Sequence, residues 1–393
     1  MESSRFFDSR VAKVTLPPGF DTESRGNPPK ADHIGNMKTN KVLIIGFDAL
    51  DHELFSRRRT QGFRLLPLFA PIPVTGPSWT SIYTGDGMAR HNVRDVYGFE
   101  FRRRYYHSDL LHLLRWHVHN LGLLARLKPP LKRYATCETT PSRYVWDTLG
   151  EAGISLKIVN MPITCPARRV NGVMVSGFPI IDRKPLCYPE EIKPRIPKDY
   201  KELADVVHWF SDPERDPHAH WGRCLRQMGP EQAGRKIVQN AQRLAQLFLE
   251  LPRADVEMVQ FSFIDRMGHG FGMSSEIEEF CYSLAEDLIA KLTAAAPADL
   301  VMVISDHGFQ ARGHGDYGCL GLRGRLAEMV KLPEGYTPSV LDVAPTLAGL
   351  LGTRHQCEGN DLTVQSDYVT RDLKEEQEEK VRTMKHLTDL GYM

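Results

Sequence analysis

Three short runs along the chain are mainly apolar: KVLIIGF at 41–47, VEMVQFSF at 256–263 and LVMVIS at 300–305, the last almost without polar breaks. Runs this short and this rich in β-branched residues read as strands buried on both faces, rather than as half-exposed strands with strict alternation. Between and after them the apolar spacing becomes helical, at 231–251, near 275–295 and at 337–352, the last closed by Gly352. A further helix is read over 141–153, ended by Gly153, and Pro77 suits the first turn of one spanning Ser78 to Tyr83. Residues 155–166 read as a strand and loop, 170–178 as a hairpin or strand, 185–225 as irregular structure and 52–70 as a connection. The spacing predicts an amphipathic helix over 108–127 after Ser108 or Asp109 as cap, and a charged helical tail near 369–390. Strands alternating with helices predict an α/β fold, with a mainly parallel sheet covered on both faces.

Each apolar run delivers a carboxylate at its carboxyl end: Asp48, Asp265 and Asp306. Two of them add a histidine, His307 directly after Asp306 and His269 four positions after Asp265. A buried, unpaired carboxylate is costly and needs a cation, a donor or water. In open α/β sheets, ligands collect at the carboxyl ends of the strands. Asp306-His307-Gly308 taken alone can be a strand-ending turn; the same device on three strands points to a shared site. Asp and neutral His are ligands for zinc, and serve manganese or iron as well. Asp265 and His269 share a face if their segment is helical.

Composition narrows the reading. The 393 residues suffice for one large α/β domain with an insertion or for two domains, and a formal net charge of +1 removes any global signature of nucleic-acid or membrane binding. A local basic stretch, Arg102 to Arg104 with Arg115, Arg126, Lys128, Lys132 and Arg133, is either a solvated face or a device for steering an anionic substrate. His107, His112, His117 and His119 lie in the same region without clustered carboxylates and read as surface or packing residues. Seven scattered cysteines with no C-x-x-C pair argue against a disulfide framework and a zinc-thiolate site, and fit a reducing compartment. No stretch of about 18 apolar residues occurs, and the first 20 residues lack the apolar core of a signal peptide. Residues 1–40 read as a flexible leader and the protein as cytoplasmic.

The ordered set GFDALD, TGPSWTSIYTG, FIDRMGHG, SDHGF and GHGDYG resembles the alkaline phosphatase superfamily, and within it the type I phosphodiesterase and nucleotide pyrophosphatase branch. The match runs from about 41 to 352; VWDTLGEAGISLKIVNMPITCPARRVNGVMVSGF at 145–178 is similar to a segment of soluble members, and LTDLGYM to tails of the superfamily. The resemblance implies an alkaline-phosphatase-like three-layer αβα sandwich over 41–366, with a cap inserted within roughly 95–255 and a tail over 367–393. It implies two divalent metal ions, zinc first and manganese as the alternative. Asp265, His269 and His314 would hold one, and Asp48, Asp306 and His307 the other. His355 competes with His314 for its place.

Thr75 falls at the nucleophile position of the family, with an N-cap role, or Ser78 or Thr80 as the hydroxyl, as alternatives. His91 resembles a histidine that follows the nucleophile helix and is read as structural. The implied activity is hydrolysis of phosphate diesters or nucleotide pyrophosphates through a phospho-threonine. Monoester or phosphonate hydrolysis, phosphomutase activity and a non-catalytic binding protein are the alternatives. The implied partner is a small phosphate ester or nucleotide, with Trp209, Phe210 and Trp221 as candidates for choosing it. The chain departs from the pattern at Ala49, where relatives have Gly, and in a short connection from Asp48 to Thr75.

Overall fold

The computed structural model describes residues 40–58, 62–101, 104–106, 131–210, 221–310 and 313–364. The strands of the central sheet are β1 (Val42–Phe47), β2 (Arg64–Phe69), β6 (Leu156–Met161), β7 (Gly172–Ser176), β8 (Cys187–Tyr188), β9 (Val256–Phe261), β10 (Leu300–Ser305) and β13 (Tyr317–Arg323). A small antiparallel sheet holds β3 (Tyr97–Phe101), β4 (Arg104–Tyr106) and β5 (Leu131–Tyr134), and a hairpin holds β11 (Gly308–Gln310) and β12 (Gly313–Gly315). The eight-stranded order is β2-β13-β10-β1-β9-β6-β7-β8. The five strands from β10 to β7 run parallel. The outer strands β13, β2 and β8 pair antiparallel.

The sheet buries both faces because successive side chains point opposite ways. Leu43, Ile45 and Phe47 of β1 join Val301 and Val303 of β10 under one helical layer, which includes Pro230–Glu250 and Ser275–Ala295. Val42 and Ile44 join Met302 and Ile304 under the other, which includes Thr75–Thr84, Val145–Glu151 and Val343–Leu350. A mixed, mainly parallel sheet with helices on both sides is the fold that the sequence pattern predicts. The register places the strand ends level: Phe47 is opposite both Phe261 and Ser305. Asp48 and Asp306 therefore leave adjacent strands side by side, and Asp265 follows one helical turn after β9.

One buried ion pair sits inside the sheet. Lys157 of β6 and Glu257 of β9 are register partners, with Nζ and Oε1 2.8 Å apart and both side chains sealed from solvent. Lys157 also donates to the Phe248 carbonyl at 3.0 Å, while Glu257 accepts from Arg253 Nε and from the Ala254 N–H.

The structure corrects two local expectations and decides a third. The connection 52–70 contains the helix His52–Ser56 and the edge strand β2. Pro67 within β2 disguised it, since proline is tolerated on an edge strand but reads as a breaker in sequence. Residues 172–176 form a strand, one of the two alternatives read from sequence, and it runs parallel to β6. Residues 185–225 are not irregular throughout: they carry β8, a 3-10 turn at Glu190–Arg195, the helix Tyr200–Ala204, a 3-10 turn at Val206–Trp209 and the start of the helix Trp221–Met228. Of the stretch 95–255, β6 to β8 belong to the central sheet. The leader, the helix over 108–127 with its histidines, most of the basic stretch and the tail lie outside the described residues. Among the described residues, no helix is long and apolar enough to cross a membrane.

Candidate active site

Thr75 opens the helix Thr75–Thr84, and its N-cap is Val74. The Thr75 hydroxyl lies 3.3 and 3.4 Å from the two carboxylate oxygens of Asp48, to which it donates. The neighbouring hydroxyls are engaged otherwise: Ser78 donates to the Ile72 carbonyl and Thr80 to the Gly76 carbonyl at 2.7 Å. Pro77 sits in the first turn, where its missing N–H would have no helical acceptor.

The six sequence-predicted ligands converge beside this hydroxyl. The helix Phe263–Phe271 puts Asp265 and His269 on one face, with His269 Nε2 3.2 Å from Asp265 Oδ1. The hairpin β11–β12 brings His314 to the same oxygen, also at 3.2 Å, and 2.8 Å from His269 Nε2. His307 Nε2 lies 3.4 Å from Asp48 Oδ1 and 3.3 Å from Asp306 Oδ2. Two metal-sized groups result, Asp265 with His269 and His314, and Asp48 with Asp265 and His307; Asp265 faces both halves of the site, and Asp306, predicted for the second, borders it without completing such a group.

The imidazoles are set up to bind a cation. His307 Nδ1 donates to the Gly308 carbonyl at 3.0 Å and His314 Nδ1 to the Pro73 carbonyl at 2.7 Å. In the neutral ring this leaves each Nε2 as a bare lone pair aimed at carboxylate oxygens. Asp306 Oδ2 and His307 Nε2 are buried and have no hydrogen-bond partner. Lone pairs facing lone pairs in a buried site are resolved by a divalent cation between them, and mixed Asp and His donors suit zinc or manganese.

Charge in the cluster follows burial. Burial raises the Asp48 carboxyl well above its ordinary range, and the negative charges of Asp306 and Asp265 add to it. Burial likewise raises Asp306, while the Ala49 N–H, donating to Asp306 Oδ1 at 3.2 Å, works against it. Burial is also the largest influence on Asp265 and pushes it up, but His269 and Arg266 outweigh it and hold this carboxyl low. His307 is pushed down to about 3, chiefly by burial.

His355 lies elsewhere: its ring bonds the Thr148 hydroxyl and the Thr84 carbonyl, both at 2.9 Å. His91 is buried between Ser81 and the Val93 N–H. Of the three aromatics proposed to select substrate, Trp221 meets His269 edge-on at 6.1 Å, whereas Trp209 donates to the Glu202 carbonyl. Sequence reasoning missed Arg266, Asp205 and the Pro73 carbonyl. Arg266 stands in the quoted FIDRMGHG, but its partner Asp205 is 61 residues away, and a backbone acceptor has no sequence signature.

The model of the type I phosphodiesterase / nucleotide pyrophosphatase family matches residues 42–318. No curated protein sequence matches the chain. Solved structures with a similar course include murine ectonucleotide pyrophosphatase / phosphodiesterase 5, at 12% identity over 83% of this chain and 99% of that one, TM-score 0.45. A mutant of the alkaline phosphatase PafA aligns at 14% identity over 70% of this chain and 64% of that one, TM-score 0.41. BT1596, a 2-O GAG sulfatase, aligns at 11% identity over 84% and 76%, TM-score 0.42. With its family model matched over most of its length, the chain belongs to the type I phosphodiesterase / nucleotide pyrophosphatase family of metal-dependent hydrolases.

Proposed function

We propose that the protein hydrolyses phosphate diesters or nucleotide pyrophosphates through a phospho-threonine formed on Thr75. The observation that carries this reading is the Thr75 hydroxyl at the head of a helix, aimed at Asp48 and beside the clustered Asp and His side chains. Asp265, His269 and His314 would hold one divalent ion and Asp48, Asp306 and His307 a second, zinc being the first choice and manganese the alternative. Bound there, the ions would polarise the phosphoryl oxygens, favour loss of the Thr75 proton and stabilise the leaving oxygen. Thr75 Oγ1 attacks phosphorus in line as the bond to the leaving oxygen breaks, and water then releases the phosphoryl group from Thr75. Asp48 orients the hydroxyl, and the N–H groups of the first helical turn favour the anionic phosphate.

A threonine at position 75 disfavours sulfate esters, whose hydrolases in this superfamily oxidise a Cys or Ser there. Arg266, the guanidinium beside Asp265, is engaged by Asp205 and Asp265 and is not free to grip a monoester dianion. This favours a substrate with a singly charged phosphate. All seven cysteines are free thiols, five of them buried, which supports a reducing, cytoplasmic setting.

The test is hydrolysis of bis-p-nitrophenyl phosphate and p-nitrophenyl phosphate by metal-reconstituted wild type and Thr75→Ala. Diester turnover above monoester turnover, lost in the variant, is expected. Monoester preference would move the assignment to a phosphatase or mutase. Equal activity of wild type and variant would remove Thr75 as nucleophile.

A further inference from the structure

Arg266 follows Asp265 directly and is buried, with 7% of its surface exposed. Its Nη1 donates to Asp265 Oδ2 at 2.8 Å. Its Nε donates to the two oxygens of Asp205 at 3.1 and 3.2 Å, and Nη2 to Asp205 Oδ2 at 3.2 Å. The guanidinium lies 5.2 Å from the ring centroids of both Phe178 and Trp221. Asp205 is fixed in turn, because it accepts the Val207 N–H at 2.8 Å. The two oxygens of Asp265 thus have separate duties: Oδ2 belongs to Arg266, and Oδ1 faces His269 and His314.

A buried guanidinium needs a carboxylate partner, and Asp205 alone would satisfy that need. The remaining nitrogen, Nη1, donates instead to Asp265 Oδ2, the oxygen that does not meet His269 and His314. Trp221 packs on Arg266 and also on His269, so the same aromatic touches the support and a neighbouring ligand candidate. A lysine would place a point charge there but lacks the planar fork that spans two carboxylates.

We propose that Arg266 is a positioning residue for the metal centre. By holding Asp265 Oδ2, it presents Oδ1 alone to the cation between His269 and His314. Through Phe178, Asp205 and Trp221, it also keys three separate segments of the 178–221 stretch to that presentation. This inference rests on the metal assignment of the preceding section.

The test uses the full chain, stripped with a chelator and titrated with zinc in competition with a chromophoric chelator. The visible absorption of cobalt(II)-loaded protein reports coordination geometry, and circular dichroism reports the fold. Wild type is compared with Arg266→Lys, Asp205→Asn and Asp265→Asn. Arg266→Lys is expected to weaken one zinc by about 10- to 100-fold, the range for lost outer-shell support, and to change the cobalt spectrum. Asp205→Asn should shift both readouts in the same direction by less. If both variants bind zinc and cobalt as wild type does while Asp265→Asn loses an ion, Arg266 is only a structural ion-pair partner and the proposal falls. If Asp265→Asn itself binds as wild type does, the metal assignment fails and the proposal with it. Should Arg266→Lys not fold, Asp205→Asn decides: it keeps the side-chain volume and removes the charged acceptor of the fork, and wild-type affinity there overturns the proposal.

Discussion

His314 donates its Nδ1–H to the carbonyl of Pro73 at 2.7 Å, two residues before Thr75. One imidazole therefore joins the carboxylate side of the site to the segment that delivers the hydroxyl. Replacing it should disturb both. His314→Ala is expected to lose one equivalent of bound cation and at least about 100-fold in diester turnover, the scale for removing a group that orients the reacting parts. His355→Ala should keep its cations and lose about 1–3 kcal/mol of stability, from the buried Thr148 hydroxyl and Thr84 carbonyl left without a partner. Metal analysis and urea unfolding of the two variants separate these outcomes; a cation lost from the His355 variant alone would reverse the assignment.

Ala49 occupies a left-handed backbone conformation, φ +70°, in the turn that carries Asp48 out of β1. A Cβ in that region costs roughly 1–2 kcal/mol, partly offset by the smaller entropy of an unfolded alanine. Ala49→Gly should raise stability by about 0.5–1 kcal/mol without altering the site. A lower urea midpoint in the variant would refute this.

The Lys157–Glu257 pair predicts an asymmetry. Removing Lys157 leaves Glu257 with Arg253 and the Ala254 N–H. Removing Glu257 leaves a buried ammonium, already disfavoured by burial, facing carbonyl oxygens. Glu257→Leu should therefore destabilise by about 3–5 kcal/mol and Lys157→Met by clearly less. Equal losses in chemical denaturation would show that Arg253 and Ala254 contribute nothing.

Acid should weaken the fold through histidines whose surroundings keep them neutral. Burial pushes His91, sealed from solvent, down to about 3 and lowers the half-buried His208 to about 4. Both stay neutral in the folded protein while the unfolded chain takes up protons below about 6.5, so their contribution is complete above that pH and lost as pH falls. Each group adds a slope of about 1.4 kcal/mol per pH unit through the window below 6.5. Unfolding free energies from pH 7.5 to 4.5 should show a slope reduced by one proton in His91→Asn. An unchanged slope would mean that His91 is not buried neutral.

Much of this was legible from sequence because β1 and β10 are fully buried parallel strands with no polar position before their last residues to blur them. VLIIGF and LVMVIS show where they end, and an Asp at such an end is conspicuous. The four-residue spacing of Asp265 and His269 allowed a shared face but did not fix a helix, which the structure supplies at Phe263–Phe271. β2 was not, because Pro67 on an edge strand looks like an interruption. The supports of the site were not legible either. Asp205 meets Arg266 only through the tertiary fold, and the acceptors for His307 and His314 are carbonyls that any residue would offer.

The level ends of β1 and β10 have a further consequence. Asp48 and Asp306 stand one residue beyond register partners, so the width of a sheet, about 4.8 Å per strand, sets their spacing, and no loop does. The chain between the strands can lengthen, shorten or be replaced without moving these two carboxylates. The sheet thus fixes the dimensions of the reactive centre, and the connections around it are left free to shape what enters.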